Sequence, residues 1–257
     1  MFKSIFPQFI HKATLKKKML DELRDYPRVI SEMLIRDYGD GVIKGTDITW
    51  ENEVLTIGEG LLVHHGQIYR MEEDFKLDCP CVDRLTFLKI RFITTNMEMG
   101  LTGGVGEIYF DDCPPETDEI ELGRFRLQEG ARLRTEYENV EDYQTEFDTL
   151  NRIHMPWLCP GGMSLWPRLI LDYGTELLDT GTEQPLDVAF AMQALGSEGQ
   201  VSKRLLLSYL ERKTGKRMKE GDNGKIYKGL IQVLREGRFG QGEIKKSENR
   251  TRQMLLL

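Results

Sequence analysis

The sequence predicts an α+β protein: an N-terminal helical arm, a central antiparallel β sandwich or open barrel, and a small C-terminal helical bundle. Two patterns support this class. Apolar and polar residues alternate from residue 39 onward, giving roughly seven strand patterns within about 90 residues. After residue 163 the apolar residues recur at helical spacing, with glycines closing each run. A chain of 257 residues suits one large domain or two small ones.

The N-terminal arm and helix are predicted for residues 1–38. Residues 2–10 form an apolar cluster interrupted by Pro7, too short to bury itself, so it packs on the chain's own core or on a partner. Residues 14–36 are predicted as a helix, with Thr14 as N-cap and a break near Pro27. Its apolar face is formed by Leu15, Met19 and Leu23 and resumes after the break at Ile30, Met33 and Leu34. Gly39 suits the position just beyond its C-terminus.

The antiparallel β domain is predicted for residues 39–134. It opens on a meander over residues 39–71, in which Ile48 and Trp50 share one strand face. Residues 84–94 form a strongly β-prone strand whose more apolar face we assign to the core; it carries Thr86, Leu88, Ile90 and Phe92.

Two glycine-rich runs lie in this β domain, at residues 58–60 and 103–106. A phosphate-binding loop requires a helix N-terminus immediately after the glycines, because the free amides and the helix dipole hold the anion. Both runs lead into further strand patterns instead. We therefore interpret them as hairpin turns.

A connector is predicted over residues 135–162, a helical domain over 163–239 and a C-terminal tail over 240–257. Ser164 and Ser202 are predicted helix N-caps. Four short helices are expected, ended by glycines at positions 181, 196, 215 and 237. The tail is polar until its apolar end at residues 254–257, which we expect to dock on a neighbour or on the bundle.

The net charge of −7 is unevenly distributed along the chain. Residues 1–39 carry +3, residues 40–150 carry −15 and residues 151–257 carry +5. A basic helix pair, with Lys203, Arg204, Arg212, Lys213, Lys216, Arg217 and Lys219, superficially resembles a helix-turn-helix. The acidic middle opposes DNA binding, so we predict no nucleic-acid partner.

No catalytic motif is present: the sequence contains no H-E-x-x-H, no G-x-S-x-G and no P-loop lysine. His64 and His65 are adjacent on a predicted strand, so their side chains are expected to point to opposite faces and not to share a metal. The acidic pair Asp111 and Asp112 is interpreted as a solvated turn, with Ca²⁺ as the alternative. We predict no catalytic residue, no cofactor and no metal site.

Four cysteines, at positions 79, 81, 113 and 159, are too few and too scattered for a disulfide framework, and only one close pair is available for zinc. We interpret them as reduced thiols. No apolar run reaches the length of a membrane span, and the N-terminus lacks the apolar core of a signal peptide. These features predict synthesis in the cytoplasm without Sec export and without membrane insertion.

Residues 39–70, with G-V-I-K-G-x-D-I, L-T-I-G-x-G and G-x-I-Y-R, resemble the small β module of many phage tail-fibre and baseplate proteins. The segments 121–134 and 141–153 and the helical end look like a prophage tail protein of Gram-positive bacteria. The resemblance implies a structural part of a contractile tail or tailocin baseplate, assembled in several copies with other baseplate and tail-fibre proteins. It brings no catalytic residues.

This resemblance leads us to expect a non-enzymatic protein that links the baseplate to a tail fibre or receptor-binding protein. The predicted partner-binding residues lie in the two apolar ends: Phe2, Ile5, Phe6, Phe9, Ile10, Met254, Leu255, Leu256 and Leu257. The alternatives are a cell-surface carbohydrate-binding module, favoured by surface aromatics near residues 97–106, and an enzyme. An enzyme would require a deep pocket that gathers His64 or His65 with Asp111 or Asp112.

Overall fold

The computed structural model of the chain describes residues 7–9, 11–12, 14–96, 102–217 and 222–254. Within these ranges an N-terminal helix precedes several antiparallel sheets, and four helices follow. The predicted α+β class is confirmed. None of the helices in the described ranges combines the length and the apolar character that crossing a membrane requires.

The first helix, α1, spans Lys17–Ile35 and contains Pro27 in its interior. The predicted helix is therefore confirmed, but it begins at Lys17, three residues later than predicted. Thr14 as N-cap is wrong, because Lys16 holds that position and no side chain caps the first turn; the predicted break near Pro27 is also wrong. Proline removes one backbone hydrogen bond, but its fixed φ is compatible with a helix, so the helix can continue through it. The hydroxyl of Ser31 donates to the Pro27 carbonyl at 2.9 Å, one turn further on.

In the described residues, eleven strands in three sheets follow α1, and nine of them precede the 3₁₀ turn. These nine are β1 (Gly41–Gly45), β2 (Ile48–Glu51), β3 (Val54–Ile57), β4 (Gly60–His64), β5 (Gln67–Met71), β6 (Phe75–Asp78), β7 (Leu85–Asn96), β8 (Thr102–Asp111) and β9 (Glu119–Arg126). One three-stranded sheet has the order β2-β3-β6 and another the order β8-β7-β9. The interpretation of the two glycine runs as hairpin turns is wrong. Residues 58–60 link β3 to β4, which lie in different sheets, and residues 103–106 lie inside β8, paired with β7. Glycine is used within a strand where another group approaches closely, as Tyr69 does at Gly104.

The third sheet has five strands and includes part of the predicted connector. A 3₁₀ turn, Val140–Gln144, is followed by β10 (Trp157–Cys159) and β11 (Gly162–Ser164), and the sheet order is β11-β10-β1-β4-β5. Val42 pairs with Trp157 in parallel. Gly41 allows the approach, because a Cβ at this position would lie 2.5 Å from the Pro156 carbonyl oxygen. The connector thus completes the sheet that β1 begins.

Strand β7 is covered on both faces. The predicted core face is confirmed at Leu88 and Ile90, which are buried. Phe87 and Lys89 on the opposite face are buried too, which the sequence pattern does not indicate. A charged residue inside a strand is expected to face water unless it is paired, and Lys89 is paired, as described below.

The C-terminal helices are α2 (Pro167–Asp179), α3 (Pro185–Gly196), α4 (Lys203–Thr214) and α5 (Asn223–Met254). The Ser202 hydroxyl accepts a hydrogen bond from the Leu205 amide, so the predicted cap is confirmed. The Ser164 prediction is wrong: Ser164 lies on β11, and Trp166 precedes the helix, with Pro167 in the first turn.

Helix α5 continues through Gly237, where the sequence predicts a stop, and extends through most of the predicted 240–257 tail. A glycine lowers helix stability by about 1 kcal/mol relative to alanine without ending the helix by itself. A continuous buried cluster joins the sheets to the helices, from Leu55 and Leu122 through Trp166 to Tyr173 and Leu230. The boundaries of the five predicted segments stay a prediction.

Candidate functional site

The two predicted partner-binding ends lie largely outside the described residues. Phe2, Ile5, Phe6, Ile10, Leu255, Leu256 and Leu257 all fall outside them. Phe9 is described and exposes 61% of its surface. Met254 is the last residue of α5. Their role as partner-binding residues stays a prediction.

Helix α1 presents an apolar face that no part of the described structure covers. We call this set the outer face of α1, and its side chains are 39% to 70% exposed: Leu20, Leu23, Ile30, Met33 and Leu34. None of the residues of α1 is buried. Residues three and four apart lie on one side of a helix, so these five form one continuous stripe. Sequence reasoning found the apolar spacing but did not assign it a binding role.

The polar face of α1 is turned toward the rest of the protein. Arg28 and Glu32 form an ion pair at 2.8 Å and line a cleft beside the β sheets. This orientation is the reverse of an ordinary surface helix, whose apolar stripe faces the core. The apolar side of the helix is therefore turned away from the cleft and exposed in the described structure.

The cleft beneath α1 has a volume of about 1110 Å³ and lies between two strands at sheet edges, β5 and β8. Tyr69, Phe75 and Tyr109 contribute aromatic side chains to it. A Cβ added at Gly104 would lie 2.3 Å from the Tyr69 hydroxyl, so the absence of a side chain there makes room for the Tyr69 ring. Phe75 is 40% exposed.

A histidine pair lies where α1 meets the sheets, and its geometry contradicts the sequence prediction. The rings of His64 and His65 stack with centroids 4.0 Å apart. They do not diverge, because His65 adopts a φ of +48° in the β4–β5 turn and the alternation of the strand ends at His64. Both imidazoles approach the carboxylate of Asp40: Oδ2 lies 3.4 Å from His64 Nδ1 and 3.9 Å from His65 Nε2.

The two histidines differ in environment. The His64 ring is buried and stacks on Phe92 with centroids 3.8 Å apart. Burial lowers the pKa of His64, because desolvation disfavours the protonated imidazole. The His65 side chain is largely exposed, and its Nε2 also lies 3.5 Å from Asp118 Oδ1. The His65 amide donates to Asp40 Oδ1 at 2.9 Å, which fixes the orientation of that carboxylate.

Lys89 forms a second polar cluster with two carboxylates. Its ammonium donates to Asp111 Oδ2 at 2.7 Å and to Glu119 Oε2 at 2.8 Å, and Glu119 also accepts from the Tyr109 hydroxyl. Burial opposes the charged form, but the two carboxylates outweigh it and raise the pKa of Lys89. The same ammonium hydrogen bond lowers the pKa of Asp111. A lysine held protonated in this way stabilises the sheet rather than acting as a base or nucleophile.

The arrangement needed for the enzyme alternative is not found among the described residues. His64 and His65 meet Asp40 and Asp118, whereas Asp111 meets Lys89. None of these six residues lines the large cleft. Asp111, Asp112 and Cys113 also lie close enough together to hold an ion. Cys79, Cys81 and Cys159 belong to no such group within the described ranges, and all four thiols are free.

The basic helix pair is partly engaged within the protein. The Lys213 ammonium donates to the buried carboxylate of Asp187 at 2.8 Å and to Gln184 at 2.8 Å. Asp187 also accepts from the buried Tyr209 hydroxyl at 2.9 Å. Lys213 is therefore a structural cation of the helical region, not a free phosphate-binding group.

Comparisons with known proteins give limited similarity. No protein-family model and no curated protein matches the chain. The solved structure titled "Crystal structure of TssK" matches over 92% of this chain and 72% of its own, with a TM-score of 0.44 and 10% identity. A structure of the type VI secretion system TssK-TssF-TssG baseplate subcomplex matches over 91% and 100%, with a TM-score of 0.39 and 10% identity. At TM-scores below 0.5 these similarities carry no argument about this chain's function.

Proposed function

We propose that this chain is a non-enzymatic structural protein of a phage-like contractile-tail baseplate, which links the baseplate to a tail fibre or receptor-binding protein. The observation that carries the proposal is the outer face of α1, an apolar stripe turned to solvent while the polar face lies toward the protein. Contiguous exposed apolar surface on a folded protein marks an interaction site. Burying one such side chain fully contributes about 1.5–3 kcal/mol.

We assign the outer face of α1 to a second copy of this chain. Over Lys17–Ile35 the helix carries four basic and four acidic residues, so it is neutral, whereas the whole chain carries −7. Two neutral helices can pair without the repulsion that other surfaces of two such acidic chains would experience. A two-fold pairing also brings the same stripe from each copy into one interface.

The choice of assembly rests on the sequence resemblance of residues 39–70, 121–134 and 141–153 to phage tail and baseplate proteins. The partners in the proposal are other baseplate and tail-fibre proteins, with several copies of this chain in each particle. The chain would be made in the bacterial cytoplasm and assembled into a phage tail or tailocin. The apolar ends at residues 2–10 and 254–257 would add contacts to neighbouring subunits.

Self-association through α1 is tested with the variant L23Q/M33Q/L34Q. Glutamine has a helix propensity close to that of leucine and methionine, so the helix should persist. We expect the wild-type chain to form a dimer or larger oligomer in light scattering after size exclusion, and the variant to be monomeric with unchanged circular dichroism. The control K17Q/D21Q places the same side chain at two polar positions of α1, leaves the helix neutral and should keep the oligomer. A wild-type chain that stays monomeric at high concentration would contradict the assignment.

Incorporation into particles tests the baseplate role separately. In cells that produce the particle, the wild-type chain and the control should sediment with it, and L23Q/M33Q/L34Q should not. Deleting residues 2–10 or 254–257 should also abolish incorporation while leaving the isolated chain folded. Complete particles that contain none of this chain would rule out the role.

The cleft favours one second candidate, a carbohydrate-binding module. Phe75 and Tyr69 lie beside Gly103 and Gly104, where exposed aromatic residues could stack on sugar rings. Binding of the purified chain to a glycan array, lost on the substitution F75A, would favour this candidate. Binding that persists without Phe75 would place the sugar elsewhere.

A further inference from the structure

We propose that Asp40, His64, His65 and Asp118 form a binding site for a divalent transition-metal ion of the zinc type. The ligand atoms of Asp40, His64 and His65 already lie within 4.8 Å of one another. Asp118 approaches the same imidazole of His65 from another loop. This site is separate from the outer face of α1, so the inference does not depend on the proposed function.

Two of the three distances between ligand atoms suit a tetrahedral ion. Zinc binds imidazole nitrogen and carboxylate oxygen at about 2.0–2.2 Å, which places neighbouring ligand atoms roughly 3.3–3.6 Å apart. Asp40 Oδ2 lies 3.4 Å from His64 Nδ1 and 3.9 Å from His65 Nε2. His65 Nε2 lies 3.5 Å from Asp118 Oδ1. Closure of the site requires two movements of exposed side chains: the His65 ring rotates out of the stack so that both imidazole nitrogens point at one ion, and Asp118 rotates toward the other three ligands.

The donor set selects the class of ion. Two imidazoles and two carboxylates suit zinc and its neighbours in the first transition series, whereas Mg²⁺ and Ca²⁺ prefer sets made of oxygen alone. Two of the ligands are held in place before any ion binds. The His64 ring is fixed by stacking on Phe92, and the Asp40 carboxylate is fixed by the His65 amide. Such supporting contacts are what orient ligands at metal sites.

The ligands come from three separate parts of the chain. Asp40 directly precedes β1, His64 and His65 form the end of β4 and the turn after it, and Asp118 precedes β9. Because β1 pairs with β4, an ion would join one edge of that sheet to the segment that enters β9 of another sheet. Because it binds the folded chain and not the unfolded one, it would also raise thermal stability.

The alternative is a stacked histidine pair that contacts Asp40 and binds no ion. A competing site is also present at Asp111, Asp112 and Cys113. The measurement is therefore made in the C113S background, which removes the thiolate ligand of that second group. His65 is replaced by asparagine, because asparagine tolerates the positive φ of this turn. The control H11N removes another exposed histidine.

Calorimetric titration of the full-length, chelator-treated chain with Zn²⁺ is the test. We expect one ion per chain for C113S, with the same affinity for C113S/H11N. The affinity for Zn²⁺ should fall at least about tenfold for C113S/H65N, because replacing even a residue that only supports a metal ligand lowers metal affinity 10–100-fold. The affinity of C113S/D118N for Zn²⁺ should fall by less. Zn²⁺ should raise the melting temperature of C113S, and at the same Zn²⁺ concentration it should raise that of C113S/H65N by less.

Two results would overturn the proposal. One is the absence of binding heat for C113S, which would leave the stacked pair as the explanation. The other is binding that C113S/H65N and C113S/H64Q retain at full affinity, which would locate the ion elsewhere. Circular dichroism of each variant without metal shows whether the chain is folded, so a loss of binding cannot be confused with a loss of structure.

Discussion

Helices α1 and α2 carry similar amphipathic patterns and have opposite environments. Helix α2 buries Leu169, Ile170, Tyr173, Gly174 and Leu177. Helix α1 buries none of its residues. The spacing of apolar residues determines which side of a helix will be covered, but it does not determine whether the covering group belongs to the same chain. In this protein the second helix is covered by its own chain, whereas the first is exposed in the described structure.

The contacts of α2 explain why it belongs to the core. The Tyr143 hydroxyl from the 3₁₀ turn donates to Asp172 of α2 at 2.5 Å. Gly174 lies so close to α3 that a Cβ there would be 3.1 Å from the Ala194 Cβ. The ion pairs of α1, in contrast, are exposed and lie within the helix, as between Arg28 and Glu32. Exposed pairs of this kind contribute only about 0.3–0.5 kcal/mol.

The largest change in the free energy of unfolding that follows from this contrast is expected in the helical core. Leu210 is fully buried on α4 and packs against Gly229 of α5. The substitution L210A should lower the free energy of unfolding by about 2–5 kcal/mol, because it removes buried methyl groups and leaves a cavity. Urea unfolding followed by circular dichroism measures this change. A loss below about 1 kcal/mol would show that α4 and α5 do not pack as described.

Much of the fold can be predicted from the sequence because short-range signals specify it. The Ser202 cap and the left-handed Gly215 after α4 are local, and both predictions are confirmed. The pairing of β10 with β1 joins residues more than 100 positions apart, and no local pattern encodes it. The burial of Lys89 is also nonlocal, since its partners Asp111 and Glu119 lie on other strands.

The candidate metal site could not be predicted for a related reason. Alternation along a strand correctly separates neighbouring side chains, but only while the strand continues. His65 lies one residue beyond β4, and its positive φ turns the ring back onto His64. The dipeptide His65-Gly66 was the available signal, because a turn glycine there shortens the strand. The apolar spacing of α1 can be read from the sequence, whereas the exposure of its outer face depends on the whole fold.

A smaller change in the free energy of unfolding is expected where an ion pair joins the connector to the β region. In the described structure, α1 makes no ion pair of this kind with the rest of the chain. Asp142 pairs with Arg134 through two hydrogen bonds, one of them 2.7 Å long, and this lowers the pKa of Asp142 from 3.8 to about 2. A lowered pKa in the folded chain stabilises it above pH 3.8, and this stabilisation is lost as the pH falls toward 2.

The substitution D142N should therefore lower the free energy of unfolding by about 1–2 kcal/mol at pH 7, after allowance for the partial exposure of Arg134. The difference from the wild type should shrink steadily between pH 4 and pH 2. Urea unfolding at a series of pH values measures it. The control E129Q removes an exposed carboxylate and should have little effect at any pH. A difference for D142N that does not depend on pH would mean that the ion pair is not its source.

The smallest effect on the isolated fold is expected at the outer face of α1. Leu34 is 70% exposed, so L34Q removes little buried surface and should change the free energy of unfolding of the monomer by no more than about 0.5 kcal/mol. The same substitution should weaken self-association, because in the proposed dimer Leu34 is buried. Urea unfolding at low protein concentration isolates the first quantity, and sedimentation equilibrium measures the second. A monomer destabilised as strongly as by L210A would mean that α1 packs on its own chain, and the contrast between the two helices would then disappear.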